Sequence, residues 1–144
     1  MPGMVCHFIY EEFYPNHEKD IIRFCESFCR NLFGKSDEYL DVELDHELVF
    51  ANGVVMNNKQ FVDKAKLWFD AFESFTLSQL RFMKPEFSLE QGMGHVNTWF
   101  DYDAKLEDGS SINFSGPGIF YMHFIYGFWY ICGMDFPGFK EWAF

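Results

Sequence analysis

The feature that most constrains the fold is a long uncharged stretch in the C-terminal third of the chain. Between Gly109 and Met134 there is no Asp, Glu, Lys or Arg, and seven of the twelve residues from Ile119 to Tyr130 are aromatic. The sequence here has a period of two, which is typical of β-strands. The apolar window from Ile119 to Met134 is interrupted by His123 and is too short to span a bilayer. The stretch therefore predicts central strands covered by helices on one face and by a second subunit on the other.

Size and charge restrict the kind of partner. The chain has 144 residues, and we expect a single domain over residues 1–144 with an N-terminal arm at about 1–15. Acidic residues outnumber basic ones by 22 to 11, which gives a formal net charge of −11. Nucleic acid and anionic membrane surfaces would be repelled by this charge, so neither is expected as a partner.

The N-terminus and the cysteines indicate a reducing compartment. Residues 1–8 show no basic segment and no long apolar stretch, so no signal peptide is recognisable. Cys25 and Cys29 lie four residues apart on a predicted helix, where two thiolates could begin a metal site. No CxxC pair or nearby His completes such a site. We therefore expect buried, reduced thiols, no metal and a cytoplasmic location.

Local signals predict two helices and two groups of strands. Asn16 can cap a helix that ends at Gly34, and Asn57 with Gln60 resembles the capping pair of a second helix. The dipeptide Asn52-Gly53 predicts a hairpin turn between two short strands. Four longer strands are predicted at about 75–83, 91–106, 111–125 and 128–135. This order of elements favours an α+β domain.

Three segments carry a resemblance to a known superfamily. They are residues 44–50 (LDHELVF), residues 56–62 (MNNKQFV) and residues 127–131 (GFWYI). With the order of elements, they resemble the NTF2-like superfamily, and within it the SnoaL-like polyketide cyclases and the ketosteroid-isomerase-like proteins. The resemblance implies a cone in which a curved antiparallel sheet wraps around a long helix, with a deep cavity at one end. It also implies dimerisation through the convex face of the sheet, whereas function does not follow from such a fold.

One row of polar residues on the second long strand suggests chemistry. Alternation places His95, Asn97, Trp99 and Asp101 on one face, and Asp103 continues the row towards a turn. If this face is concave, it would line a cavity with an acid–base pair, an amide and an aromatic wall. If it faces solvent, these residues need no functional explanation.

The next strand brings Tyr121 and His123 to one face within an apolar run. Imidazole accepts and donates a proton near neutral pH, and a phenol can donate to a developing oxyanion. The alternative is that His123 is a core residue with a satisfied hydrogen bond.

The closing strand carries Trp129 and Asp135, which alternation places on one face with Ile131 and Gly133. Asp135 lies among Met134, Phe136 and Pro137, and apolar surroundings favour a carboxylate that acts as a base. The resemblance to SnoaL-like cyclases implies the same role for Asp135. The alternative is a strand-end residue that caps the turn at 136–138.

The resemblance fails for the catalytic residues of the ketosteroid-isomerase-like enzymes. Where those enzymes have an Asp after the first strand, this chain has Ala51 and Asn52. Their oxyanion-binding Tyr corresponds to a position near Phe24, and their second Asp to one near Met122. That triad is therefore missing.

We expect a pocket for an apolar or aromatic carbonyl compound in a homodimer. If the protein is catalytic, proton transfer through an enolate needs no cofactor and would give cyclisation, isomerisation or dehydration. Asp135 or Asp101 would then be the base, and His95, His123 or Tyr121 would stabilise the oxyanion. The alternative is a non-catalytic binding or association module. Polar groups converging in a cavity favour the enzyme, whereas a cavity filled by Phe and Met, with His95 and Asp101 in solvent, favours the module.

Overall fold

The architecture is taken from a computed structural model that describes residues 16–140. The elements in chain order are helix α1 (His17–Phe33), a 3-10 turn (Asp37–Tyr39), strands β1 (Glu47–Val49) and β2 (Val55–Asn57), helix α2 (Asn58–Ala71), and strands β3 (Ser74–Phe82), β4 (Glu86–Ser88), β5 (Met93–Lys105), β6 (Ser111–Ile125) and β7 (Phe128–Asp135). The α+β class is thus confirmed, and β4 is an element that the sequence analysis missed. The expected arm at 1–15 lies outside the described residues. No helix within residues 16–140 is long and apolar enough to cross a membrane.

Both helices begin at the predicted caps. The side chain of Asn16 accepts a hydrogen bond from the Lys19 backbone N–H at 3.1 Å. At α2, Asn57 Oδ1 accepts from the Gln60 N–H at 2.8 Å, and Gln60 Oε1 accepts from the Asn57 N–H at 2.9 Å. These bonds satisfy N–H groups that the first turn of a helix leaves without partners. The helix starts are therefore local properties of the sequence.

The main sheet is antiparallel and has the strand order β3-β5-β6-β7, with β4 pairing the first residues of β5. The β5–β6 register runs without a break from Met93↔His123 to Lys105↔Ser111. Alternation along these two strands therefore assigns each residue to one face throughout.

Helix α1 packs on one face of this sheet, which we call the inner face. The Phe28 and Phe120 ring centroids are 6.0 Å apart, and those of Phe33 and Tyr102 are 4.6 Å apart. Cys25, which is fully buried, places its Sγ 3.6 Å from the Met122 Sδ. Many of the aromatic side chains are thus packed between the helices and the sheet. The face directed away from α1 is called the outer face.

The segment around β1 extends the sheet beyond β7. The Asp45 N–H donates to the Ile131 carbonyl at 2.9 Å, and the Ile131 N–H donates to the Glu43 carbonyl at 2.8 Å. The β1–β2 hairpin turns at Asn52-Gly53, as predicted, with Gly53 at φ 87°. The extension forms one wall of the site described next.

Candidate functional site

The polar row predicted on β5 lies on the outer face. Val96, Thr98 and Phe100 are buried against the helices, so the alternate residues from His95 to Asp103 point away from α1. Within residues 16–140, the space between α1 and the sheet, where the resemblance implies a cavity, is packed with buried aromatic and Met side chains such as Phe28, Phe120 and Met122. An inner cavity filled in this way favours an association module over an enzyme.

Polar groups converge instead in a hollow on the outer face, between the β1 segment and strands β6 and β7. Its volume is about 490 Å³. We call it the β1 hollow, and its lining residues are Asp45, Glu47, Val49, Phe50, Ala51, Met93, Tyr121, His123 and Cys132. Asp45 and Glu47 reach the hollow because side chains in the β1 segment alternate between two faces. Leu44 and Leu48 are buried in the core, whereas Asp45 and Glu47 face the hollow.

A histidine–carboxylate pair lies in the β1 hollow. The Asp45 Oδ2 is 3.0 Å from the His123 Nδ1, and the Asp45 Oδ1 accepts the His46 backbone N–H at 2.7 Å. The side chain of Asp45 is 16% exposed and that of His123 is 41% exposed. Asp45 is therefore held in place by two contacts, and it orients the imidazole so that Nε2 remains for a ligand.

A β-bulge turns Cys132 into the same hollow. Tyr121 pairs with Gly133 and Met122 pairs with Ile131, so Cys132 has no partner across the ladder. Burial, and next the Asp45 carboxylate, raise the pKa of the Cys132 thiol to about 11. The thiol is therefore protonated near neutral pH and is a poor nucleophile there.

The bulge also overturns one prediction about faces. Trp129 and Ile131 were expected to share a face with Gly133 and Asp135. Trp129 instead faces α1, where its Nε1–H donates to the His17 Nδ1 at 3.1 Å. Gly133 pairs with Tyr121 and Asp135 with Ile119, both on the outer face. One extra residue reverses the alternation, so Trp129 lies outside the β1 hollow.

Of the other predicted site residues, the structure brings only His123 and Tyr121 into the hollow. Asp101 accepts a hydrogen bond from the Asn113 side chain at 2.8 Å, and Asp103 accepts from the same amide at 2.8 Å. Asp135 lines separate depressions beside Lys140. The remaining predicted residues on the outer face, which do not line the β1 hollow, are His95, Asn97 and Trp99.

Sequence reasoning missed Asp45, Glu47 and Cys132. Asp45 and Glu47 belong to an acidic stretch at residues 37–47, a composition that by itself is typical of a solvated segment. The signal that could have found them is the alternation of Leu44 and Leu48, which assigns Asp45 and Glu47 to the opposite face. No local pattern marks the bulge that turns Cys132 into the hollow.

Comparisons with known proteins identify the fold. No protein-family model matches the chain, and no match is found among curated protein sequences. A solved scytalone dehydratase-like protein from Novosphingobium aromaticivorans matches with a TM-score of 0.62 at 13% identity, over 81% of this chain and 79% of that one. The association domain of CaMKII from C. elegans matches with a TM-score of 0.56 at 12% identity, over 82% and 92% of the two chains.

The protein Rd1NTF2 matches with a TM-score of 0.55 at 11% identity, over 83% of this chain and 98% of that one. Together these likenesses show that the chain has the NTF2-like fold, as the sequence resemblance implied. At identities this low they show the fold alone. The proteins that share it include both an enzyme-like member and an association domain.

Proposed function

We propose that the protein binds a small apolar or aromatic carbonyl compound in the β1 hollow and transfers a proton on it without a cofactor. The observation that carries this proposal is the 3.0 Å contact between Asp45 and His123 inside a hollow of about 490 Å³. This volume falls within the range usual for small-molecule sites. Val49, Phe50 and Met93 supply the apolar wall that such a compound needs.

The chemistry begins with His123 as the general base. When its Nδ1–H is donated to Asp45, the lone pair is on Nε2 and can take a proton from the carbon next to the carbonyl. The bonding electrons pass to the carbonyl oxygen and form an enolate, and Asp45 stabilises the imidazolium. Tyr121, on the same face, supplies a phenol O–H for the enolate oxygen.

The second half of the reaction returns the proton from the His123 imidazolium. Delivery to a different carbon completes an isomerisation, and delivery to a leaving hydroxide completes a dehydration and releases water. In the cyclisation variant, the enolate carbon attacks a second carbonyl and the proton goes to the new alkoxide. This assigns to His123 the role of base that the sequence analysis gave to Asp135 or Asp101.

The charges of the hollow indicate a neutral ligand. Asp45 and Glu47 are both in the lining, and no Lys or Arg of residues 16–140 lies there. A carboxylate or phosphate on the ligand would be repelled by these side chains, whereas an uncharged ketone would not.

The test is exchange of the protons next to a ketone carbonyl, since enolate formation is common to all three reactions. 1-Tetralone in D₂O, followed by proton NMR, should lose its C2 proton signals faster with the protein than in buffer alone. His123→Gln should lower the protein-dependent rate by about 10²- to 10⁴-fold, the usual contribution of a general base. His46→Gln replaces an exposed histidine outside the hollow and serves as the control. No acceleration by the wild type, or equal rates in wild type and His123→Gln, would refute the proposal.

The filled inner cavity supports a second candidate function, a homodimeric association module. Its interface would be the outer face, where Tyr121 is 41% exposed and Met93 is 45% exposed. The CaMKII association domain has the same fold at 12% identity. In sedimentation experiments, Ile119→Glu on the outer face should then convert a dimer to a monomer, whereas Leu67→Glu on the exposed side of α2 should not. A monomeric wild type excludes this module.

A further inference from the structure

We propose a second polar subsite beside the β1 hollow, in which Glu86 and His95 hold a hydroxyl group at the far end of the ligand. The ligand would then be a flat aromatic ketone with a hydroxyl group opposite its carbonyl. This inference rests on the proposed function, because it names the substrate class of the same site.

The subsite is a depression of about 320 Å³ that continues the β1 hollow across the sheet. We call it the Glu86 groove, and its lining residues are Glu86, Phe87, Ser88, Gln91, Met93, Gly94, His95 and Tyr121. Met93 and Tyr121 line both depressions. The two depressions therefore adjoin at these side chains, and a ligand that lies across them would contact both.

The β-sheet register sets the length of that ligand. His95 pairs with Tyr121, and Met93 pairs with His123, so the two histidines are diagonal neighbours on the outer face. Diagonal neighbours lie about 7–8 Å apart in an antiparallel sheet. Met93 and Tyr121 occupy the other diagonal, so their side chains lie between the two histidines. This spacing suits one or two fused rings with a polar group at each end.

The pairing in the Glu86 groove selects the polar group. The His95 Nε2 is 3.3 Å from the Glu86 Oε2, and the groove has no Lys or Arg among the residues that the structure describes. A hydroxyl group can donate to the Glu86 carboxylate and accept from the His95 ring, whereas a carboxylate on the ligand would be repelled by Glu86. The Glu86 side chain is 77% exposed, so its contribution is a directional hydrogen bond more than an attraction between charges.

The experiment compares two ketones that differ only in the distal hydroxyl group. Isothermal titration of the wild type with 1-tetralone and 6-hydroxy-1-tetralone should show tighter binding of the hydroxylated compound by about three- to tenfold, as one hydrogen bond gives. In His95→Leu the ratio of the two dissociation constants should fall to about one. Gln79→Ala, an exposed residue of β3 outside both depressions, should keep the wild-type ratio.

The outcomes separate this subsite from the proposed function. Equal affinities of the wild type for both ketones, or an unchanged ratio in His95→Leu, would overturn the subsite alone. Failure of the wild type to bind either ketone and to exchange the protons of 1-tetralone would overturn both proposals. Circular dichroism spectra of His95→Leu and Gln79→Ala that match the wild type ensure that the comparison is made on folded protein.

Discussion

Replacing Asp45 with Asn should make the Cys132 thiol more acidic. Burial, the larger cause, and the Asp45 carboxylate together raise the pKa of Cys132 from 9.0 to about 11. Because each pKa unit is a factor of ten, the thiolate fraction of Cys132 near neutral pH is about a hundredfold below that of an ordinary thiol. The thiolate is the form that reacts with alkylating reagents. Near neutral pH, Cys132 in the wild type should therefore react about a hundredfold more slowly than the same thiol in unfolded protein, and the difference should narrow to about tenfold at pH 10.

The assay is alkylation with iodoacetamide between pH 8 and 10, with the Cys132 peptide quantified by mass spectrometry. The wild-type rate should rise by about tenfold per pH unit without levelling off, since the whole range lies below the pKa. Asp45→Asn should increase the rate, yet leave it below that of unfolded protein because burial remains. Asp70→Asn, which removes an exposed carboxylate of α2, should leave the rate unchanged.

Two results would refute this reasoning. A wild-type rate equal to that of unfolded protein would mean that Cys132 is not turned into the hollow. An equal rate in wild type and Asp45→Asn would mean that Asp45 does not lie beside it. The raised pKa of Cys132 also makes the stability of the protein depend on pH. The free energy of unfolding should fall as the pH rises from 9.0 towards about 11, because Cys132 loses its proton first in the unfolded chain.

Two further predictions concern the supports of the site, and urea denaturation measures both. Gly133→Ala should lower the free energy of unfolding by about 1–3 kcal/mol, because the new Cβ would lie 2.6 Å from the Val49 backbone carbonyl oxygen and push β1 away from β7. If the variant unfolds at the same urea concentration as the wild type, this contact is refuted. Ser27→Ala should cost about 1–3 kcal/mol. The Ser27 hydroxyl donates to the Glu43 Oε1 at 2.7 Å. The Oε2 of this buried carboxyl has no hydrogen-bond partner within residues 16–140. Ser111→Ala, at an exposed serine, is the control, and an equal loss in both variants would argue against the buried contact.

The elements were predictable because their signals are local. The caps at Asn16 and Asn57 and the turn at Asn52-Gly53 each depend on residues within four positions of one another. The period-two pattern of the strands is likewise readable over short windows. Strand β4 was missed because its three residues are too few to show a period and, unlike the equally short β1 and β2, it does not flank an Asn-Gly turn.

The candidate site was only partly predictable, because its residues are distant in sequence. Asp45 and His123 are separated by 78 positions, and only the pairing of the β1 segment with β7 brings them together. Alternation correctly grouped Tyr121 with His123. It failed on β7, where the bulge at Cys132 reverses the faces on either side of it.

The sequence by itself determined the order of the elements other than β4, the starts of both helices and the grouping of residues along β5 and β6. These follow from hydrogen bonds and periodicity within short segments. Only the tertiary structure decided which face of the sheet α1 covers, and hence that His95, Asp101 and His123 lie on the outer face. Alternation is symmetric between two faces, so it cannot say which one is buried. That choice is made when aromatic side chains such as Phe28 and Phe120 pack against each other and leave the polar row outside.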